Sequence, residues 1–178
     1  MKRFGAITIL SEKKTWRKRG KRASSSIVCE CRCACGKTFH TKKWRLSKGR
    51  TFSCGCLRDI VVDGINFGSV LEAAIYLDLK DKQVVFQHDS EYDLDGLGKH
   101  RYDFFIPATK TYIETSSYSS SVPFWGKYIS GIENKRKAVE SAGCNLLFIC
   151  RKPTVDETTR VCVSNTKKRK DSVRVRKK

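Results

Sequence analysis

Two acidic residues, Asp103 and Glu114, lie on the two halves of a predicted β-hairpin. The run from Arg101 to Ser116 is rich in aromatic and β-branched residues, which favour strands, and Pro107 interrupts it. If residues 107–110 form the loop and the pairing is symmetric, Asp103 faces Glu114 with Cβ atoms roughly 4.5–5.5 Å apart. Such a pair predicts a divalent cation with oxygen ligands between the carboxylates. The alternative is an acidic hairpin edge exposed to solvent.

A second chemical pattern is a cluster of cysteines. Six of the nine cysteines precede residue 60, at positions 29, 31, 33, 35, 54 and 56. Alternate residues of a strand share a face but are about 6.6–6.8 Å apart, whereas the sulfurs around tetrahedral zinc are roughly 3.8 Å apart. Paired ligands therefore need a turn, which Gly36 and Gly55 can supply. We predict a structural zinc site formed by Cys33, Cys35, Cys54 and Cys56, with Cys31 as the reserve ligand. The alternative is a set of buried or redox-active thiols.

The overall charge indicates a polyanionic partner. The 178 residues include 37 Lys and Arg against 18 Asp and Glu, a net charge of +19. Nucleic acid is the usual partner of so basic a chain. A membrane is not expected, because the sequence has no apolar run of about 18 residues. The N-terminal segment also lacks the apolar core of a signal peptide, so we expect an intracellular protein with reduced thiols.

The composition divides the chain into three regions. Residues 1–60 are rich in cysteine and basic residues and predict a small, β-rich zinc module. Residues 61–163 alternate apolar and polar runs as a globular domain does. Residues 164–178 form a basic tail with almost no core-forming residues, and we expect it to be disordered.

The elements of these regions predict an α/β (α+β) fold. The zinc module should contain strands Phe4–Leu10 and Ile27–Cys35, a turn-rich connection Ser11–Ser26, and a strand or short helix at Phe39–Leu46. The second region should contain helix Ser69–Leu79, a strand starting at Val84–Gln87 and reaching Tyr92, the hairpin, a serine-rich loop Ser116–Pro123, helix Phe124–Ala142 and strand Asn145–Cys150. This order predicts a mixed sheet flanked by helices.

The hairpin resembles the core of the PD-(D/E)XK nuclease family. The family carries Asp on one strand and Glu-x-Lys on the next, which here correspond to Tyr102-Asp103 and Glu114-Thr115-Ser116. The resemblance implies a nuclease fold in which Asp103 and Glu114 bind a catalytic magnesium or manganese ion. Ser116 departs from the family pattern, because it occupies the position of the lysine.

Two further residues could complete the site that the resemblance implies. Lys135 shares a helical stripe with apolar residues, so it could supply the missing positive charge, with Lys127 as the second choice. The alternative for Lys135 is a snorkelling side chain. Glu72 corresponds to a third acid that the family often carries on its first helix. It could equally form a capping box with Ser69. His88 and His100 receive no predicted role, whereas His40 could replace one sulfur of the zinc site, although its spacing does not favour this.

The first 57 residues resemble a Cys-rich module of phage and mobile-element endonucleases. The matching segments are Phe4–Ile9, Cys31–Gly36 and Ser53–Cys56. This resemblance implies a zinc module that contacts DNA. Basic residues around one tryptophan could contact phosphates: Lys42, Lys43, Trp44, Arg45, Lys48 and Arg50. The segment Gly64–Leu79 also faintly resembles a helical DNA-binding module of homing endonucleases.

Together these patterns predict a metal-dependent DNA endonuclease of the homing or phage type, with a zinc module that binds the target. A double-strand cut by one such site would need a homodimer or two successive nicks. One alternative is a zinc-dependent DNA-binding protein that does not cleave, which Ser116 favours. Another is a basic zinc protein that binds RNA, although such a protein would not need opposed carboxylates.

Overall fold

The computed structural model describes the backbone of residues 3–19, 22–94, 98–117 and 125–175. The protein is a mixed α+β chain that divides into two compact units. The first unit contains Met1–Val70 together with Thr154–Lys178, and the second contains Leu71–Pro153. The first unit therefore extends beyond the predicted boundary at residue 60 and also includes the C-terminal segment.

The first unit is built on an antiparallel sheet of strands β1 to β4 in sequential order. The strands are β1 (Arg3–Phe4), β2 (Ile7–Arg19), β3 (Arg22–Cys33) and β4 (Thr38–Lys42), followed by helix α1 (Lys43–Ser47). Strands β5 (Ile60–Val62) and β6 (Ile65–Phe67) form a separate antiparallel pair, and helix α4 (Val155–Val175) completes the unit. The sequence predicted either a strand or a short helix at Phe39–Leu46, and the structure has both, since β4 ends at Lys42 and α1 begins at Lys43.

The segment Ser11–Ser26 forms strands and not the predicted turn-rich connection. Strands β2 and β3 pair along their length, and the final pair is Arg19 with Arg22. The prediction was wrong because this part of the hairpin has no alternating apolar residues to indicate strands. Cross-strand bonds stabilise it instead, as where the Thr15 hydroxyl donates to the carbonyl oxygen of Ser26 at 3.0 Å.

Two of the cysteines are part of the apolar core of the sheet. Cys29, Cys31 and Cys33 alternate along β3 and are all buried, as the strand period predicts. Cys29 and Cys31 pack with Ile7 and Leu46 in an apolar cluster. Cys31 is therefore a core residue and not a reserve metal ligand, and only Cys33 extends beyond this cluster to the other thiols.

Helix α4 replaces most of the predicted disordered tail. Its start is a capping box, in which the Thr154 backbone N–H donates to the Glu157 carboxylate at 2.6 Å and the Glu157 N–H donates to the Thr154 hydroxyl at 3.2 Å. Thr158, Val161, Cys162 and Asn165 are all buried along one face. This spacing of three and four residues is that of an amphipathic helix, and the helix continues to Val175. Residues 176–178 of the predicted tail lie outside the described residues.

The second unit has the predicted order of helix, three strands, helix and strand. Its elements are α2 (Val70–Asp81), β7 (Gln87–Leu94), β8 (Gly98–Ile106), a 3-10 turn (Pro107–Thr109), β9 (Thr111–Ser116), α3 (Trp125–Ser141) and β10 (Asn145–Cys150). The sheet order is β10-β9-β8-β7, with β10 parallel to β9 and the other pairs antiparallel. Strand β7 begins at Gln87, three residues after the predicted start. Most of the predicted serine-rich loop, from residue 118 onward, lies outside the described residues.

Aromatic side chains form the core of the second unit. Tyr102 and Tyr112 are buried with Ile132 and Val139 of α3 and with Leu146. Phe104 is fully buried and meets Phe86, with ring centroids 5.8 Å apart. Burying a side chain of this size contributes roughly 1.5–3 kcal/mol. This core fixes strands β8 and β9, which carry the two predicted acids.

Candidate metal centre and carboxylate site

Two backbone turns bring the predicted zinc ligands together. Gly36 and Gly55 have φ angles of +88° and +98°, which L side chains rarely adopt, so the predicted glycine turns are present. The loop before Cys54 is held against the start of the chain, because the Ala6 N–H donates to the Phe52 carbonyl oxygen at 2.9 Å. The Ala34 N–H donates to the carbonyl oxygen of the same Ala6 at 2.7 Å. Ala6 therefore links the two cysteine loops.

The four predicted thiols converge as a metal site requires. The Sγ atoms of Cys33, Cys35, Cys54 and Cys56 all lie within 4.8 Å of one another. The Cys33 and Cys56 sulfurs are 3.7 Å apart, and those of Cys35 and Cys54 are 3.4 Å apart. Sulfurs bound to one tetrahedral zinc are roughly 3.8 Å apart, so this donor set could bind a metal such as zinc.

A fifth thiol, which the sequence did not indicate, lies at the same cluster. Cys162 of α4 is fully buried, and its sulfur is 3.1 Å from that of Cys56 and 3.6 Å from that of Cys33. Hydrogen bonds from Cys162 and Cys56 lower the pKa of Cys33, whereas the pKa of Cys56 is raised by its contacts with Cys162 and Cys33. The cluster thus already favours a thiolate at Cys33, and the thiolate is the form that binds metal.

Asn165, one turn after Cys162, fixes the segment that follows the cluster. Its Nδ2 donates to the carbonyl oxygens of Cys56 at 2.7 Å and Asp59 at 3.1 Å, and its Oδ1 accepts from the Val61 N–H at 3.2 Å. A buried amide with three partners satisfies backbone groups that would otherwise be unpaired. Both residues belong to the helix that the sequence did not predict.

In the second unit, the predicted hairpin register is present up to the acidic pair. Ile106 pairs with Thr111 and Phe104 with Ile113, as symmetric pairing predicts. The pairing of β8 with β9 ends at Phe104, and beyond it the Asp103 side chain bonds β9 in place of a backbone carbonyl. Its Oδ2 accepts from the Thr115 N–H at 2.7 Å and from the Thr115 hydroxyl at 2.6 Å. Because both bonds are made to Oδ2, Oδ1 is the oxygen that a cation could bind.

This side-chain bond interrupts the alternation of β8. Tyr102 and Phe105 both contact the ring of Tyr112, with centroids 4.6 Å and 4.4 Å away. Residues three apart cannot share a face of a regular strand, so the alternation of β8 is interrupted between Tyr102 and Phe105. Asp103 nevertheless remains close enough to Glu114 to raise the pKa of that carboxyl group.

Glu114 is a buried carboxylate beside the predicted lysine. The Lys135 Nζ lies 2.8 Å from Glu114 Oε2, and these side chains are 22% and 13% exposed. The contact is an ion pair without the alignment of a hydrogen bond, since Oε2 has no hydrogen-bond partner among the described residues. Burial raises the pKa of Glu114, Lys135 lowers it, and Asp103 and Glu72 raise it further. Lys127, the second choice, is exposed on the same helix.

Tyr128 lies near Glu114 and is hydrogen-bonded to Ser116. Ser116 is buried and hydrogen-bonds the Tyr128 hydroxyl, so it has a partner but supplies no positive charge. Burial raises the pKa of Tyr128, and the nearby Glu114 raises it further. A pocket of about 380 Å³ is bounded by Glu114, Tyr128 and Lys135 among others. The carboxylate is therefore next to a space that a ligand could enter.

Glu72 pairs with a histidine to which the sequence assigned no role. His88 Nε2 lies 3.0 Å from Glu72 Oε1, and both side chains are about 15% exposed or less. The carboxylate also lies near enough to Glu114 to raise its pKa. Among the described residues, however, Glu72, Asp103 and Glu114 do not form a set of ligand atoms within 4.8 Å, as the four cysteines do.

The predicted phosphate-contacting residues lie around an exposed tryptophan. Trp44 is 45% exposed, and the Arg45 and Arg50 guanidinium carbons lie 5.8 Å and 5.4 Å from its ring centroid. Lys43 instead pairs with Glu12 at 2.7 Å. Lys42 ends β4 and Lys48 follows α1, and Lys48 is exposed. The structure thus groups two arginines with Trp44 and gives Lys43 an acidic partner.

Comparison with known proteins identifies no relative of this chain. No protein-family model, curated protein or solved structure matches it. In the part of the chain that the structure describes, no helix is long and apolar enough to cross a membrane.

Proposed function

We propose that this protein is a metal-dependent DNA endonuclease, in which the second unit cleaves and the zinc module assists target binding. The observation that carries the proposal is the buried Glu114 with Asp103 and Lys135 around it, beside an open pocket. Lys135 compensates part of this negative charge, but Asp103 and Glu72 still raise the pKa of Glu114, so a further cation would stabilise the carboxylates. The helix and strand order of the unit also agrees with a PD-(D/E)XK nuclease core.

A catalytic divalent ion would be held by Asp103 Oδ1 and the Glu114 carboxylate. Carboxylate oxygens are the ligands that magnesium and manganese prefer. The fit rests on two observations: the bonds from Thr115 engage Asp103 through Oδ2 and not through Oδ1, and the Glu114 carboxylate, whose Oε2 is paired with Lys135, borders the pocket. Such an ion activates water and stabilises charge that develops on phosphate.

Lys135 would provide the positive charge that the family lysine normally provides. Its Nζ lies beside Glu114 and also donates to the Arg101 carbonyl oxygen at 2.7 Å. The ammonium is therefore fixed in the site by two partners, and the pocket that it borders gives a phosphate access. An ammonium placed in advance near the phosphate stabilises the transition state.

The test is cleavage of double-stranded DNA with magnesium or manganese. We expect cleavage by the wild type, loss of cleavage in Glu114→Ala and Asp103→Ala, and unchanged DNA binding in both. Glu133→Ala is the matched control, because Glu133 is an acid of α3 whose side chain is 54% exposed and paired with Arg136. A Glu114→Ala protein that still cleaves would refute the assignment of this site.

A second function is a zinc-dependent DNA-binding protein that does not cleave. It is favoured by Ser116, which replaces the family lysine, and by the two Thr115 bonds that already engage Asp103. Wild-type protein that binds DNA tightly but leaves it intact with either metal would support this function over the first.

A further inference from the structure

We propose that Cys162 is a ligand of the same metal ion, so that the site has five thiols for four positions. Cys33, Cys56 and Cys162 form a triangle of sulfurs with edges of 3.7, 3.6 and 3.1 Å. The first two edges are close to those of one face of a tetrahedral zinc–thiolate site, roughly 3.8 Å, and the Cys56–Cys162 edge is shorter. The inference depends on the metal site and does not depend on the nuclease activity.

Cys33 and Cys56 are the ligands common to both possible sets. Each contacts Cys162, and each also lies within 4.8 Å of Cys35 and Cys54. Cys35, Cys54 and Cys162 are therefore three thiols for the two remaining positions. Cys162 is fully buried, whereas Cys35 and Cys54 are half-buried, so solvent competes least at Cys162.

The consequence is that a metal ion would fasten α4 to the cysteine loops. The helix reaches the cluster through Cys162 and the following segment through Asn165. A residue 106 positions after Cys56 would thus belong to the same zinc site. Zinc binding would stabilise the C-terminal helix as well as the N-terminal sheet.

The test uses cobalt substituted for zinc, whose near-ultraviolet charge-transfer band grows with the number of bound thiolates. In Cys35→Ser, Cys162 should complete four thiolates, and the band should equal that of the wild type. In Cys35→Ser/Cys162→Ser, it should fall by about a quarter, from four thiolates to three. Cys150→Ser is the control, because Cys150 is exposed and lies in the other unit.

Two results would overturn the proposal. The first is a band that falls by about a quarter in Cys35→Ser alone and does not change when Cys162→Ser is added. The second is a zinc-free wild type whose mass shows a Cys56–Cys162 disulfide after purification. If Cys35→Ser does not fold, Cys54→Ser with and without Cys162→Ser gives the same comparison. Loss of DNA cleavage is not a readout, so this test is separate from that of the nuclease.

A different observation concerns the free part of the β2–β3 hairpin. Strand β4 pairs with β3 only from Val28 to Arg32, so Lys14–Arg19 and Arg22–Ile27 form a two-stranded ribbon. Between Lys13 and Arg22, seven of the ten residues are basic and none is acidic. Trp16 is 67% exposed, and the Lys14 Nζ lies 4.9 Å from its ring centroid.

From this ribbon we infer that the hairpin enters the major groove of double-stranded DNA, which deepens the proposed DNA binding. The groove is about 12 Å wide and admits a two-stranded β-ribbon. Six residues of strand extend about 20 Å, enough to follow the groove past several phosphates. The exposed Lys13 and Lys14 complement the phosphate charge, and Trp16 offers an apolar surface to the bases.

The test is fluorescence anisotropy with a DNA duplex at several salt concentrations. Lys13→Gln/Lys14→Gln should weaken binding and reduce the salt slope by about 0.9 per lost phosphate contact. Trp16→Ala should weaken binding with the slope unchanged, and Lys110→Gln, an exposed lysine of the second unit, should have no effect. Equal affinity for double-stranded RNA, whose major groove is too narrow, would overturn the inference. Ribbon variants that bind as the wild type does would also overturn it, whether or not the protein cleaves DNA.

Discussion

The ion pair of Lys135 and Glu114 allows the magnitude of a substitution to be worked out. The charged atoms are 2.8 Å apart, and the side chains are 22% and 13% exposed. Removing one partner of a fully buried pair costs about 3–5 kcal/mol, whereas an exposed pair contributes about 0–1 kcal/mol. Lys135→Met should therefore lower the free energy of unfolding by about 2–3 kcal/mol, because it leaves a largely buried carboxylate without its cation.

A double-mutant cycle with Glu114→Gln isolates the electrostatic part of this loss. In Lys135→Met/Glu114→Gln no unpaired carboxylate remains, so the double variant should be more stable than Lys135→Met. We expect a coupling energy of at least about 1 kcal/mol. The bond from Lys135 to the Arg101 carbonyl oxygen is lost in both proteins, and that part of the destabilisation should persist.

The measurement is urea unfolding at neutral pH, with zinc present and without magnesium. Lys127→Met is the matched control, because Lys127 is exposed on the same helix, and it should change stability by no more than about 0.5 kcal/mol. A Lys135→Met protein that is destabilised no more than the control, or that gains no stability when Glu114→Gln is added, would contradict this expectation. In the cleavage assay, Lys135→Met should also lower the rate by about 10²–10³, the usual cost of one transition-state donor.

Three further predictions concern the pKa of Glu114, the cysteine cluster and the bond from Thr115 to Asp103. Burial raises the pKa of Glu114 above 4.5, so the Tm of the wild type should fall as pH rises through the raised value, and Glu114→Gln should lack this fall; an equal fall in both proteins would contradict this. Chelation should remove about one zinc per chain and the circular dichroism of the first unit's sheet, whereas Cys29→Ser, a core substitution, should keep the metal. Thr115→Val should lower the free energy of unfolding in urea by about 1.5–3 kcal/mol, because it removes the hydroxyl bond to Asp103. Thr109→Val is the control, since Thr109 is exposed. An effect of Thr115→Val no larger than that of the control would show that this bond contributes little.

The sequence predicted those parts of the fold that depend on local pattern. The hairpin register followed from the position of Pro107 and symmetric pairing, and Phe104 does pair with Ile113. The helix at 70–81 and the strand Asn145–Cys150 followed from their apolar spacing. The two cysteine turns followed from the demand of zinc for close sulfurs together with the position of glycine. In each case neighbouring residues carry the information.

The ribbon and the C-terminal helix were missed because their stabilising contacts do not appear as apolar periodicity. The ribbon is held by cross-strand bonds between polar residues such as Thr15 and Ser26. Helix α4 carries a strongly basic second half, which resembles a disordered tail in composition. One local signal was available, since Thr154-Val-Asp-Glu157 is a capping box that marks a helix start.

In each candidate site a helix that follows the strands in the chain brings one more side chain to the cluster, and such helix contacts are difficult to predict from the sequence. Strand periodicity places Asp103, Glu114 and Cys33, because neighbours on a sheet are fixed by register. Lys135 and Cys162 reach those residues only through helix packing, for which the sequence gives a face but not a partner. Lys135 was found because a lysine on an apolar stripe is unusual, whereas a cysteine on such a stripe is ordinary. A buried cysteine on a helix should therefore be tested as a metal ligand whenever a cysteine-rich loop elsewhere in the chain belongs to the same unit.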